Sequence, residues 1–311
     1  MVRTLFITGI AGFIGFHLAK RLTAQGDRVV GYDNFNDYYD PKLKRDRVNQ
    51  LTGASVVKGD LCDRERLLQA IEESRPSHIV HLAAQAGVRY SLENPKAYID
   101  SNITGFLHVL EASRQMGSIP IVYASSSSVY GNNEKTPFAE SDPCDRQASF
   151  YGVSKKSNEL MASAYHHLYG IPLAGLRFFT VYGPWGRPDM AYYSFSEKIM
   201  NGEPIQVYNA GKMERDFTYI DDIIDGTLAA IDSVSGCELY NLGNHKPVSL
   251  LNFIQTLEEA LGKKATLEML PMQKGDVVKT YAAIEKSKEA LAYSPKISLK
   301  EGLSRFVAWY R

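Results

Sequence analysis

Short β-rich runs alternate with longer helical patterns through the first half of the chain. Thr4–Thr8, Arg28–Asp33, Ala54–Lys58, His78–Leu82, Ile119–Ser125 and Leu173–Phe178 read as strands. Phe13–Gln25, Arg64–Ser74, Pro95–Met116 and Tyr151–Tyr169 read as helices between them, the first closed by Gly26. Repeated strand–helix–strand units predict an α/β fold built on a doubly wound parallel sheet. After Phe179 the pattern loosens, punctuated by Pro184, Gly186, Pro188, Gly202 and Pro204. Short strands and three helices follow, Ile220–Ser233, Leu250–Leu261 and Leu299–Tyr310. This half predicts a smaller, irregular α/β lobe over the carboxyl edge of the sheet. There is no internal repeat and no low-complexity segment.

Composition narrows the partners. The 311 residues include 35 basic and 35 acidic side chains, so no basic field favours nucleic acid or an anionic membrane surface. An anionic ligand must then be held by a few placed groups. Cys62, Cys144 and Cys237 are odd in number and far apart, which implies no disulfide framework. The seven histidines show no metal spacing, and His78-x-x-His81 lies in an apolar run that reads as packed core. No stretch approaches a membrane span and no leader pattern is visible, so a soluble, cytoplasmic protein is expected.

The first candidate chemistry follows the first strand. Gly9-Ile-Ala-Gly12-Phe13-Ile14-Gly15 opens the first helix, where glycines permit a tight turn and close approach of backbone to a pyrophosphate. The spacing GxxGxxG is a variant of the GxGxxG fingerprint, and its place in the first βα turn is what gives it weight. Asp33 ends the second strand about twenty residues on, where a carboxylate accepts from both ribose hydroxyls. An acid there favours NAD over NADP; Lys42, Lys44 and Arg45 are the nearby cations able to reverse that preference.

The second lies further on. Tyr151-Gly-Val-Ser-Lys155 places a phenol and an ammonium on one helix face. A cation there is expected to lower the phenol pKa and yield a base for a sugar hydroxyl. The same spacing recurs at Tyr38–Lys42 and Tyr208–Lys212, but only Tyr151 opens a long helical pattern after a strand ending in hydroxyls. That cluster, Ser125 to Ser128, precedes Val129-Tyr130-Gly131 at the edge where open α/β sheets bind ligands.

With GxxGxxG, Asp33, Asp60-Leu61, His81-Leu-Ala-Ala-Gln85, Asn102, the serines, YxxxK and Arg215-Asp-Phe-Thr-Tyr-Ile-Asp-Asp222 in place, the chain resembles the extended short-chain dehydrogenase/reductases along nearly its whole length. The resemblance implies a Rossmann-type NAD-binding domain at 1–179, rejoined by 214–244. It implies a nucleotide-sugar lobe at 180–213 and 245–311. It further implies tightly held, recycled NAD and chemistry through a 4-keto sugar. Ser126 then corresponds to the catalytic hydroxyl, Tyr151 to the base and Lys155 to its partner. Gly9, Gly12, Phe13, Ile14, Gly15, Asp33, Asn34, Asn36, Asp60, Leu61, Leu82, Ala83, Ala84, Gln85, Asn102 and Phe179 are implied along the dinucleotide. Arg215 is implied at the substrate pyrophosphate. Members of this family commonly dimerise through helices corresponding to Pro95–Met116 and Tyr151–Tyr169. A homodimer is therefore expected, with Phe106, Leu107 and Leu110 fitting either that surface or internal packing.

Finer features point to the reaction. Sugar dehydratases of the family carry Asp-Glu after the hydroxyl residue, and the decarboxylases a Glu before Val-Tyr-Gly; here Ser127 and Ser128 stand instead. The acid needed for elimination is missing, which leaves epimerisation. Arg177-Phe-Phe-Thr180-Val-Tyr-Gly-Pro-Trp-Gly-Arg187-Pro-Asp-Met190-Ala is similar to the signature of UDP-glucuronate 4-epimerases, as are Asp33–Tyr39 and Ala84–Ser91. Substrate contacts are expected from Arg89, Ser126, Ser127, Ser128, Thr180, Arg187, Met190, Arg215, Gln273 and Asp276. Glucose-type epimerases carry Asn at Thr180 and Arg at Gln273. Ser127, Ser128 and Thr180 are expected to hold a C6 carboxylate out of the alignment that releases carbon dioxide from a β-keto acid. The alternatives are a UDP-glucose or UDP-N-acetylglucosamine 4-epimerase, a uronate decarboxylase and, from another class, a non-catalytic NAD-binding protein.

Overall fold

The six strands expected in the first half all form in the computed structural model, which describes residues 2–272 and 277–311. They are β1 (Thr4–Thr8), β2 (Arg28–Asp33), β3 (Ala54–Lys58), β4 (His78–His81), β5 (Ile121–Ser126) and β6 (Leu173–Phe178). The second half adds β7 (Thr180–Tyr182), β8 (Ile205–Tyr208), β9 (Glu214–Tyr219), β10 (Cys237–Leu242), β11 (Pro247–Ser249) and β12 (Leu267–Leu270). One sheet runs β10-β6-β5-β4-β1-β2-β3, every pairing parallel. Chain order reverses between β1 and β4, which opens a crevice at the carboxyl ends there.

Twelve α-helices accompany the strands among the described residues. In chain order they are α1 (Phe13–Ala24), α2 (Pro41–Asn49), α3 (Arg64–Ser74), α4 (Tyr90–Glu93), α5 (Pro95–Tyr98) and α6 (Gly105–Gln115). They continue as α7 (Phe150–Tyr169), α8 (Ala191–Asn201), α9 (Ile220–Ser233), α10 (Leu250–Leu261), α11 (Glu285–Leu291) and α12 (Leu299–Tyr310). Leu18 and Leu22 of α1 share one core with Ile223 and Ile231 of α9. Leu67, Phe106 and Ala162, from α3, α6 and α7, share another. The sheet is therefore covered on both faces, which is why β6 is buried at every position. His81 is core too, bonded to Thr8 Oγ1 (2.8 Å) and stacked on Phe106.

Two small sheets, β11-β9-β7 and β12-β8, build the rest. Within 214–244, β9 pairs with β7 and β11, whereas β10 pairs with β6 in the large sheet. Pro95–Met116 is not one helix: a π-helical stretch, Ile99–Thr104, separates α5 from α6. Phe106 and Leu110 are fully buried, so of the three residues weighed for a dimer surface only Leu107 is exposed. No helix among the described residues is long and apolar enough to cross a membrane.

Helix α2 has no apolar repeat, because its buried residues are Lys44 and Arg47. Its start is marked instead by chemistry. The Asp40 carboxylate accepts from the Lys42 N–H (2.8 Å), and Pro41 occupies the first turn.

Candidate active site

The crevice at the β1/β4 switch is a cleft lined from the Gly9–Gly15 turn across to Met190. Its floor depends on glycine. Gly9 has φ +77°, and a Cβ at Gly15 would lie 2.1 Å from the Gly9 carbonyl oxygen. Gly12 caps α1 without a side-chain bond, and the first turn holds no acid, so the first N–H groups and the positive helix end face the cleft. Backbone that bare beside a cavity suits the pyrophosphate of a dinucleotide.

The Asp33 end is held by hydrogen bonds from both near and distant parts of the chain. The buried Asp33 carboxylate accepts from Ala11 N–H (3.0 Å) and Phe35 N–H (2.8 Å). Burial raises its pKa, against the pull of those bonds and of the Lys44 and Arg47 charges. Asn34 Nδ2 donates to Asp60 (2.8 Å), and the buried Lys44 ammonium donates to the Asn36 carbonyl (2.7 Å). Of the three cations weighed against the NAD preference, Lys44 lines the cleft, while Lys42 is exposed and paired with Asp46 and Arg45 is exposed.

At the other end stand Ser126, closing β5, and Tyr151 and Lys155, in the first turns of α7. A fully satisfied ion pair brings β5 and α7 together. Glu159, one turn beyond Lys155, takes a bidentate bond from Arg177 of β6 (2.8 and 2.9 Å) and a third from Ser125 Oγ (2.7 Å). Ser149 caps α7 by accepting from Gly152 N–H (3.1 Å). Gly152 lets the helix approach, since a Cβ there would lie 2.7 Å from the Ser128 carbonyl oxygen.

The electrostatics correct one expectation. Lys155 donates to the Ala124 carbonyl (2.8 Å), and burial pushes its pKa down to about 8. The Tyr151 phenol is raised by burial, with a Ser126 hydrogen bond and the Arg187 charge acting the other way. Lys155 therefore does not lower the phenol in the protein alone, because its ammonium is aimed at a strand carbonyl. Arg187 lines the cleft and is held by Asp189 through two bonds, Nε–Oδ1 at 3.0 Å and Nη2–Oδ2. Burial acts to raise Asp189, but the Arg187 charge and the Arg187 and Tyr38 hydrogen bonds keep it below the ordinary carboxylate range.

The sequence expectations fall into three groups. Gly9, Gly12, Phe13, Ile14, Gly15, Asp33, Asn34, Asn36, Asp60, Leu61, Leu82 to Gln85, Ser126, Tyr151, Lys155, Phe179, Arg187 and Met190 line the one cleft. Asn102, Ser127, Ser128, Thr180, Arg89 and Arg215 do not. Asn102 lies behind the wall: its Oδ1 accepts from Gln85 N–H (2.7 Å), and its Nδ2 donates to Gln85 O (3.1 Å) and Ser154 Oγ (2.9 Å). Ser127 and Ser128 form a short 3-10 turn that Ser126 Oγ caps by accepting from Ser128 N–H. Arg89 lies over the Tyr208 ring of β8 (5.2 Å), and Arg215 of β9 donates to the Glu214 and Val278 carbonyls. Gln273 and Asp276 lie outside the described residues. The cleft also includes Tyr38, Tyr39 and Ser101, which sequence reading did not place there, and Lys44, which it weighed only as a nearby cation. The Asp40-Pro41 cap was the available signal for the helix that carries Lys44.

The chain is similar to known proteins over most of its length. The NAD dependent epimerase/dehydratase family matches residues 5–243. The probable UDP-glucuronate 4-epimerase of Rhizobium meliloti is 46% identical over 326 residues, covering 98% of this chain and 96% of that one. The crystal structure of UDP-glucuronic acid 4-epimerase from Bacillus cereus with UDP-glucuronic acid and NAD superposes with a TM-score of 0.91 at 35% identity, covering 98% of both chains. The UDP-glucose 4-epimerase of Thermotoga maritima reaches the same TM-score at 30% identity, covering 99% of this chain and 98% of that one. A dinucleotide cleft at the sheet's switch point, a hydroxyl–phenol–ammonium set at its far end and a match over most of the length make this chain a member of the NAD dependent epimerase/dehydratase family.

Proposed function

We propose that the protein is a UDP-glucuronate 4-epimerase, interconverting UDP-glucuronate and UDP-galacturonate. The observation that carries this reading is the chemistry of the Tyr151 end. The Ser126 hydroxyl, the buried Tyr151 phenol and the Asp189-held Arg187 guanidinium line one cleft, and among the described residues no carboxylate is placed there to act as a second acid. The carboxylates lining the cleft, Asp33 closing β2 and Asp60 just after β3, stand across β1 and β4 from Ser126. Asp189 is tied to Arg187 and Tyr38. Elimination, which needs an additional acid or base, is therefore disfavoured relative to epimerisation.

The bare Gly9–Gly15 turn and Asp33 fit NAD, which when bound takes a hydride from the sugar C4 and returns it. Tyr151 accepts the C4 hydroxyl proton with Ser126 bonded to that oxygen; the 4-keto sugar then rotates to present its other face, and Tyr151 gives the proton back as C4 is re-reduced with inverted configuration. Lys155 holds positive charge beneath them. Arg187 supplies a fork matched to carboxylate or phosphate oxygens. Thr180, Ser127 and Ser128 remain the proposed holders of the C6 carboxylate, with Arg89, Met190 and Arg215 further along the nucleotide sugar. In this reading 1–179 with 214–244 serves the cofactor, and 180–213 with 245–311 serves the sugar nucleotide.

A homodimer fits the apolar residues left on the outer helices, Ile99, Leu107, Val153, Leu160 and Leu168, all exposed in the single chain. Three free cysteines suit the reducing cytoplasm, where we place the protein. The deciding experiment incubates the purified protein with UDP-glucuronate, without added NAD, and identifies products by NMR. UDP-galacturonate is expected. Conversion of UDP-glucose alone, or formation of a pentose with carbon dioxide, would overturn the reading in favour of the glucose-type epimerase or the decarboxylase.

A further inference from the structure

Arg47 is a fully buried cation whose hydrogen bonds all run to neutral acceptors. Burying a guanidinium this way is costly unless its donors are matched. Here they are matched in three directions. Nε donates to the Trp185 carbonyl (2.9 Å) and Nη2 to the Gly186 carbonyl (2.9 Å). Nη1 donates to the Ala11 carbonyl in the Gly9–Gly15 turn (2.9 Å) and to the Tyr39 hydroxyl (2.7 Å). His17 of α1 continues the grip, its Nε2 bonding the Pro184 carbonyl at 2.9 Å. Burial lowers its pKa to about 4, so it donates as the neutral tautomer. Three consecutive carbonyls, 184 to 186, are thus held by side chains of the cofactor half.

The next residue is Arg187. The gripped segment does not take its shape unaided. Trp185 has φ +59°, a left-handed conformation that non-glycine residues avoid, and it persists only where the surroundings impose it. Gly186 is confined as well, since a Cβ there would lie 1.7 Å from the Tyr192 hydroxyl.

We propose that Arg47, seconded by His17, is a positioning residue that sets Arg187 in the cleft by gripping the backbone in front of it. The turn that meets the dinucleotide and the arginine that meets the substrate are thereby held in one frame. The assignment rests on the reading of Arg187 as a substrate contact. Lysine cannot replace Arg47, because a single ammonium cannot span the fork's three directions.

The test is a double-mutant cycle on the NAD-loaded protein. UDP-glucuronate binding is measured calorimetrically in a Tyr151→Phe background, so that the ligand stays unreacted. Arg187→Ala is expected to weaken binding about thirtyfold and Arg47→Lys about tenfold. The double variant should be no weaker than Arg187→Ala within about twofold, because Arg47 acts through Arg187. If Arg47→Lys costs the same factor with and without Arg187, the coupling is overturned while the reading of Arg187 stands. If Arg187→Ala leaves binding unchanged, that reading falls and the coupling with it. Should circular dichroism show Arg47→Lys unfolded, the same cycle and criterion apply to His17→Leu, which removes the Pro184 bond and the ring's edge contacts with Phe13 and Phe16 while leaving Arg47 in place.

Discussion

The two ends of the cleft are built on opposite principles. At the Asp33 end every charged group has protein partners: Asp33 on two N–H groups, Asp60 on Asn34, Lys44 on Asn36. At the Tyr151 end a buried ammonium has one carbonyl, and a buried phenol is held above its ordinary pKa. The first end is finished in its hydrogen bonds before any ligand arrives, though burial still raises the Asp33 carboxyl and lowers the Lys44 ammonium. The second carries an electrostatic debt that only bound charge relieves, which is what a site tuned for proton transfer requires.

The contrast can be broken by substitution. Tyr151→Phe should lower kcat by about 10²–10⁴-fold and leave nucleotide binding intact, read from turnover and the bound-NAD absorbance. If nucleotide is lost along with activity, the ends are not separable.

Next in size is Lys155→Met, which should slow turnover by about 10²-fold yet stabilise the ligand-free protein. The interval between about 8 and 10.5 corresponds to roughly 3 kcal/mol of burial cost at pH 7. Below pH 8 both folded and unfolded chains are protonated, and the cost is fully present. As pH rises from about 8 to 10.5, the unfolded chain binds more protons, so wild-type stability climbs toward that of the variant. Urea melts of both at pH 7 and pH 10 measure this; a constant difference would remove Lys155 from the account.

At the finished end the sign reverses. Asp33→Asn turns one acceptor into a donor facing an N–H group and should cost about 2 kcal/mol, with loss of bound nucleotide. Stabilisation there would show that both ends are strained. The smallest effect belongs to Thr180→Ala. It should leave kcat within about tenfold, about 1.4 kcal/mol, while raising the carbon dioxide or 4-keto-pentose released per epimerisation. A slower enzyme that leaks nothing would take Thr180 out of carboxylate control.

What the sequence determined is whatever rests on neighbours in the chain. Short β-rich runs mark the strands and 3.6-residue patterns the long helices, Gly9–Gly15 marks a turn, and Tyr151 and Lys155 share a face because a helix puts them there. Tertiary structure decided what depends on distant partners. It sent β9 to a small sheet and β10 to the large one, and it aimed Lys155 at Ala124 rather than at the phenol. Asn102 went behind the wall, and helix α2, which shows no apolar stripe, was buried on a lysine and an arginine. The physical reason is that burial of a charged side chain is set by acceptors far off in sequence, and no local periodicity records them.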